Sequence, residues 1–384
     1  MNNFVYYNPT RVVFGKGTIS ELKDLIPADQ AILMTYGGGS IKRNGVYDQV
    51  KSALSGRRVL EFGGIQPNPV YETLMEAVKI VRKDRVGFLL AVGGGSVIDG
   101  TKFIAAAARF EGVDPWDILA KNVSVNAAVP LGSVLTLPAT GSESNAFAVI
   151  SRQSTQEKLA FSSEHVFPCF SVLDPQVTTS LPPKQVRNGI VDAFVHVMEQ
   201  YATYPANAAL QDRQSEAILL TLIEQGPLTL KNPSDYDARA NFMWAATQAL
   251  NGLISVGVPQ DWATHGIGHE LTAFYGIAHA ESLAIVMPTL LRHEKQRKAG
   301  KLIQFARRVW DITESNESAA IESAIARTEQ FFHSLGMPTR LADYKISPED
   351  AAKRIGDRFE QRNTRLGEHA DLTAKQAREI LLAC

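Results

Sequence analysis

Cysteine is almost missing from this chain of 384 residues: there are two, Cys169 and Cys384, and neither stands in a CxxC spacing. That rules out a disulfide framework and a structural thiolate metal knot, and it suits idle thiols in a reducing compartment. Long apolar runs are missing too; none approaches the ~20 residues needed to span a bilayer. Nor does one sign of charge dominate, since 39 Lys and Arg face 40 Asp and Glu for a formal net charge of −1. No global field therefore draws the chain to nucleic acid or to a membrane surface. Met1–Thr10 lacks the basic segment and apolar stretch of a secretory leader, so a cytoplasmic protein is expected.

What is present is an ordinary globular composition, 45% hydrophobic and 21% charged, at a length that favours two cores. Up to about residue 180 the chain alternates β-branched runs with amphipathic stretches. Strands are expected at Arg11–Phe14, Ala31–Thr35, Val59–Phe62, Phe88–Val92 and Ser133–Leu137, with a helix over Tyr71–Lys83. Such alternation implies a parallel sheet with helices on both faces. After the Leu181-Pro182-Pro183 break no strand pattern returns, and long helical periodicities follow, among them 189–201, 211–225, 236–253, 262–274 and 282–296. The expected organisation is an α/β domain over 1–180 and an all-helical domain over 181–384.

The histidines of the second half carry the first chemical signal. Asp192 and His196 are four residues apart, which puts both side chains on one helix face. His265 and His269 repeat that spacing, and Tyr275-Gly276 then offers a helix stop. His279 follows in the connecting turn. Any one of these alone is more simply an ordinary polar residue; two such pairs in one helical domain favour a divalent metal. A carboxylate with imidazoles suits Zn or Fe. On spacing alone, His269 serves as well as any of the others as a nitrogen ligand.

The first half carries a second signal. The buried run Phe88–Val92 leads into Gly93-Gly94-Gly95-Ser96 and then a helix from Val97. Glycines let a backbone approach a pyrophosphate, and a helix N-terminus offers free N–H groups to it. The pattern is not GxGxxG, so the spacing alone is a weak dinucleotide signature. Asp99 lies in the first helical turn, and a polar cluster, Pro138 to Asn145, follows another strand.

Taken in order, these segments resemble those of the iron-containing (group III) alcohol dehydrogenases. Gly93-Gly94-Gly95-Ser96-Val97-Ile98-Asp99 is similar to their GGGSxxD turn, and Pro138-Ala139-Thr140-Gly141-Ser142-Glu143 to a short form of their PxTxGTGSE loop. Asp192 to Glu199 resembles their DAxxHxxE helix, and His265 to His269, with His279, their HxxxH signature and last ligand. The match runs over nearly the whole chain and lies nearest the butanol-dehydrogenase branch and its NADPH-dependent aldehyde reductases. The resemblance implies a dehydroquinate-synthase-like fold, with an α/β dinucleotide-binding domain followed by an all-α metal-binding domain. It implies Asp192, His196, His265 and His279 as metal ligands and His269 as a non-ligand histidine near the substrate. It implies Gly94, Gly95 and Ser96 as the pyrophosphate turn, with Asp99, Thr136, Thr140, Asn145 and Lys158 lining the nicotinamide and ribose. Phe147, Gln153, Ile254 and Phe274 are candidate pocket residues. A homodimer is implied, through an N-terminal strand pair near Phe4 to Phe14.

Two positions depart from the family pattern. Ala280 replaces the usual glycine after His279, a small change. Gly38 stands where NAD-using relatives carry an aspartate for the adenine ribose. Its absence opens room for a 2′-phosphate in the turn Gly37, Gly38, Gly39 and Ser40, with Lys42 or Arg43 as charge partners, so NADP(H) is the expected cofactor. Reduction of small aldehydes with one divalent metal is the expected activity. The alternatives are a polyol dehydrogenase on the same scaffold and a non-catalytic dinucleotide-binding protein.

Overall fold

A computed structural model describes residues 1–384 and divides the chain into two compact units. The α/β unit comprises Tyr7–Pro182 together with Asn232–Thr247; the helical unit comprises Met1–Tyr6, Pro183–Lys231 and Gln248–Cys384.

The α/β unit holds strands β1 (Arg11–Phe14), β2 (Ile32–Tyr36), β3 (Val59–Phe62), β4 (Phe88–Gly94), β5 (Leu131–Leu137), β6 (Phe147–Arg152), β7 (Glu157–Ser162) and β8 (Phe170–Leu173). Its helices are α1 (Leu22–Leu25), α2 (Val46–Ala53), α3 (Tyr71–Lys83), α4 (Gly95–Arg109) and α5 (Asp117–Ala120). Six strands form one sheet in the order β1-β8-β5-β4-β2-β3, with every neighbouring pair parallel. Alternate residues of β4 serve opposite faces, as the strand period requires. Leu89 and Ala91 join a core with α3 and α4, while Phe88, Leu90 and Val92 join a second core with α1 and α2. Burial of Leu89, Leu90 and Val92 contributes about 1.5–3 kcal/mol each.

Three strands escaped the sequence reading. β8 is only four residues long, and β6 and β7 form an antiparallel hairpin outside the main sheet. The polar stretch Arg152–Lys158 between the hairpin's apolar runs obscures the alternation; Gln156 turns it with φ 52. Between Phe4 and Phe14 the chain forms one strand, β1 at Arg11–Phe14, and Asn2 N donates to Gly257 O within the helical unit.

The remaining helices are α6 (Pro183–Tyr201), α7 (Ala209–Lys231), α8 (Tyr236–Ala249), α9 (Ala263–Tyr275), α10 (His279–His293), α11 (Ala299–Arg308), α12 (Glu317–Ser334), α13 (Pro348–Gln361) and α14 (Ala374–Leu382). Most of α8 clusters with the α/β unit, although the sequence reading grouped it with the helices after 181. The reason is local: Met243 enters the α3/α4 core, Trp244 stacks edge-on to Phe14, and Thr247 donates to the buried Glu143 at 2.6 Å. No helix is long and apolar enough to cross a membrane.

One clasp in the helical unit makes a pH prediction. His293 of α10 faces Glu294 at 2.8 Å and Glu379 of α14 at 3.1 Å. Burial would depress the imidazole, but the two carboxylates outweigh it and hold its pKa above the ordinary histidine value. A raised folded-state pKa means the clasp is complete below the unfolded value, about 6.5, and is lost as pH rises through the folded value. Thermal melts of His293→Gln should therefore lose the part of the decline in Tm above about pH 6.5 that the parent shows. Parallel pH profiles for the two proteins would refute the clasp.

Candidate metal centre and nucleotide turn

In the α/β unit the strand β4 runs directly into α4, which starts at Gly95 rather than at Val97. Its cap, Gly94, has extended backbone and no side-chain hydrogen bond. Side chains are sterically excluded here. A Cβ on Gly94 would lie 2.9 Å from Leu137 Cβ, and one on Gly95 would lie 2.3 Å from Thr140 Oγ1. The turn is thus a bare backbone cradle at a helix N-terminus, the form a pyrophosphate takes.

Around it the expected cofactor residues form two linked groups. Ser96 Oγ accepts from Asn68 N at 3.3 Å, and Asn68 Oδ1 accepts from Lys158 Nζ at 2.9 Å. Asp99 accepts from Ser142 Oγ at 2.6 Å and from Val149 N at 3.0 Å; Thr140 Oγ1 accepts from Ser142 N at 3.2 Å. Thr136 is buried near the end of β5. Asn145 is buried and engaged within its loop, donating to Gly141 O and accepting from Phe147 N and Lys102 Nζ.

Lys102 was not singled out from the sequence. It is fully buried and donates to Asn145 O, Asn145 Oδ1 and Phe147 O at 2.8–3.0 Å, stitching α4 to the loop before β6. Burial pulls its pKa down to about 8, against the opposing pull of Asp99 and Glu143. Its position one turn after Asp99 was the available signal.

The second glycine turn follows β2. Gly37 is tight, with a Cβ 3.3 Å from Ile65 O, and Gly39 needs its left-handed φ of 84 to start the short turn Ser40–Lys42. Gly38 is different: its φ is not positive, and a Cβ there would meet nothing within 4 Å. Ser40 is exposed beside it. Lys42 lies over the Tyr36 and Tyr47 rings at 4.9 and 5.0 Å and 4.0 Å from Glu61, so a carboxylate already shares its charge.

In the helical unit α6, α9 and the start of α10 bring the expected ligands together. Asp192 Oδ1 lies 3.6 Å from His196 Nε2, 4.0 Å from His265 Nε2 and 3.6 Å from His279 Nε2. A tetrahedral ion at about 2.0–2.2 Å from nitrogen and oxygen holds its ligands roughly 3.4 Å apart, close to these separations. The donor atoms of Asp192, His265 and His279 all lie within 4.8 Å of one another; His196 meets Asp192 but stands outside that group of three. Asp192, His196 and His265 are buried, while His279 is partly open. His279 is the first residue of α10, not a turn residue, and Gly276 ends α9 with φ 69 as its C-cap.

The donor set fits a metal on physical grounds. Burial, together with the neighbouring His265, holds His196 well below the ordinary imidazole pKa, so its ring stays neutral with a lone pair to offer. His265 Nε2 is buried and has no hydrogen-bond partner although it faces a carboxylate. A buried acceptor of this kind is costly unless something pairs it. With oxygen and imidazole donors and no thiolate, the set suits Zn²⁺ or Fe²⁺. His269 stands beside this cluster, its ring 5.2 Å from that of His279 and 5.9 Å from that of His265. Of the candidate pocket residues, Phe147 and Gln153 are exposed, Ile254 is buried, and Phe274 lies beneath Arg358 at 3.7 Å.

Comparison with known proteins agrees with both halves. The family model for iron-containing alcohol dehydrogenase matches residues 9–175, and that for the Fe-containing alcohol dehydrogenase family, C-terminal, matches residues 187–384. The chain is 59% identical to the NADPH-dependent aldehyde reductase YqhD of Escherichia coli, covering 99% of both chains, and 45% identical to NADP-dependent alcohol dehydrogenase 3 of Entamoeba histolytica, covering 99% and 98%. The crystal structure of the Escherichia coli protein superposes with a TM-score of 0.98 over 100% of this chain and 98% of that one, at 58% identity. That of NADH-dependent butanol dehydrogenase A from Thermotoga maritima, at 38% identity, gives 0.94 over 99% and 98%. The chain belongs to the iron-containing alcohol dehydrogenase family.

Proposed function

We propose that this chain reduces small aldehydes to alcohols with NADPH, using one divalent metal held by Asp192, His196, His265 and His279. The observation that carries the reading is the convergence of three imidazole Nε2 atoms on one buried carboxylate oxygen, in a chain whose 59% identical relative is an NADPH-dependent aldehyde reductase. A bound divalent metal supplies Lewis acidity toward a carbonyl oxygen. The protein's part is to hold the donors in place, to shield them by burial and to move a proton. A bound NADPH would supply hydride to a carbonyl carbon, and the oxygen would then need a proton. His269, beside the ligand cluster, supplies it, since an imidazole exchanges protons readily near neutral pH. Gly94, Gly95 and Ser96 bind the pyrophosphate with backbone N–H groups; Asp99, Thr136, Thr140, Asn145 and Lys158 position the nicotinamide ribose.

The cofactor choice rests on Gly37, Gly38, Gly39 and Ser40. Because a Cβ at Gly38 meets nothing within 4 Å, Gly38→Asp should fold normally while placing a carboxylate where a 2′-phosphate would lie. The ratio of kcat/KM with NADPH to that with NADH should drop at least about tenfold, the equivalent of about 1.4 kcal/mol. An unchanged ratio would show that this turn does not read the phosphate.

A homodimer in the cytoplasm completes the reading. β1 is an edge strand with unpaired backbone groups on its outer side, which a second copy would pair. Elemental analysis of purified protein, with NADPH and NADH assays over a short aldehyde series, tests the whole. Full activity after removal of metal by a chelator would overturn it.

A further inference from the structure

The helix α9 begins without a cap of its own. Trp262, which precedes it, has a left-handed backbone, φ 61, and makes no side-chain cap hydrogen bond. Two of the N–H groups exposed at that end are instead taken by Glu199 of α6, one turn past His196 and only 3% exposed. Its Oε1 accepts from Thr264 N at 2.6 Å and from His265 N at 3.3 Å, and its Oε2 pairs with His265 Nδ1. One carboxylate therefore closes the start of α9 and grips the ring of a proposed ligand. Asp261 shares the capping, accepting from Ala263 N at 3.0 Å, but its own ion pair is with Lys298 at 2.9 Å.

The chemistry of the pair is one-directional. A carboxylate has no proton to give, and a neutral imidazole has a single N–H. Facing Glu199, that N–H must sit on Nδ1, which leaves the lone pair on Nε2. Nε2 is the buried atom without a hydrogen-bond partner, 4.0 Å from Asp192 Oδ1. We infer that Glu199 is a positioning residue that fixes the tautomer and rotation of His265, so that its Nε2 lone pair faces Asp192, His196 and His279. This rests on the metal reading above and deepens it. Carboxylates behind ligand histidines act in this way in metal sites generally, and losing one weakens metal binding by about 10–100-fold.

Glu199→Gln is the informative change. A carboxamide has one accepting oxygen; if that oxygen keeps the backbone N–H groups, its NH₂ meets Nδ1 and drives the ring proton to Nε2. Histidine-selective ¹⁵N spectra of the metal-free full chain, at one fixed pH, should show His265 protonated at Nδ1 in the parent and shifted toward Nε2–H in Glu199→Gln. Competition for Zn²⁺ against a chromogenic chelator should show affinity lower by about 10–100-fold in Glu199→Gln. Asp261→Asn, which breaks the neighbouring buried ion pair with Lys298 without touching the ring, should keep the parent tautomer and an affinity close to the parent's. A parent His265 protonated at Nε2 would overturn the inference with no variant needed. So would Glu199→Gln with parent tautomer, whatever its affinity, or an Asp261→Asn loss equal to that of Glu199→Gln. A parent chain that takes up no Zn²⁺ would refute the metal reading itself, a result distinct from all of these.

Discussion

Replacing His265 by alanine is expected to strip the metal from the purified protein and to lower kcat/KM for a short aldehyde by at least about a thousandfold. The magnitude follows from the role. Lewis acidity at a carbonyl is worth several kcal/mol, and each ~1.36 kcal/mol is a factor of ten in rate. The same change should leave the fold standing. Thr264 N and the backbone N–H of residue 265 keep Glu199 as their acceptor, and the α9 core residues Ala263, Ile267 and Leu271 are untouched. Elemental analysis, a thermal melt and steady-state kinetics on one preparation check the three parts together. A His265→Ala protein that retained stoichiometric metal would remove His265 from the ligand set.

Gly95→Ala is expected to injure the other half of the reaction. The added methyl would lie 2.3 Å from Thr140 Oγ1 and 2.5 Å from Thr140 Cγ2, far inside contact distance. Either Thr140 or the start of α4 must move. Overpacking of this kind typically costs about 1–3 kcal/mol. Because the strain falls on the turn proposed to bind the pyrophosphate, NADPH affinity should weaken on the order of a hundredfold, about 2.7 kcal/mol. Fluorescence titration with NADPH measures the affinity, and metal content should be unchanged. Parent-like NADPH binding by Gly95→Ala would mean that the turn is merely a tight connection.

Much of this arrangement was readable in the sequence because the signals were local. A four-residue spacing places Asp192 and His196 on one face of α6 whatever surrounds them, and Gly276 ends α9 by its own φ. The strand run before Gly93 and the helix after Gly95 likewise follow from periodicity and glycine content. What escaped depends on residues far apart in the chain. Lys102 reads as one polar residue in an apolar helix until Asn145 and Phe147 supply its acceptors. Glu199 was part of a recognised motif, but its work is done on α9, which no spacing within α6 can reveal. The placement of α8 turns on Thr247 meeting Glu143, more than a hundred residues earlier in the chain. His279 was displaced by a single turn: Glu281, accepting from Ala278 N at 3.2 Å, starts α10 at that histidine.

The open space around Gly38 has an evolutionary side. Most positions near a cofactor are coupled to packing, so a change in ligand preference brings a change in stability, and selection must answer both at once. Here a Cβ would meet nothing within 4 Å. If the proposed role of this turn in reading the 2′-phosphate holds, a small substitution there changes cofactor preference at little cost in packing. On that reading a lineage moves between phosphorylated and unphosphorylated nicotinamide pools by single steps there, without first accumulating stabilising substitutions elsewhere.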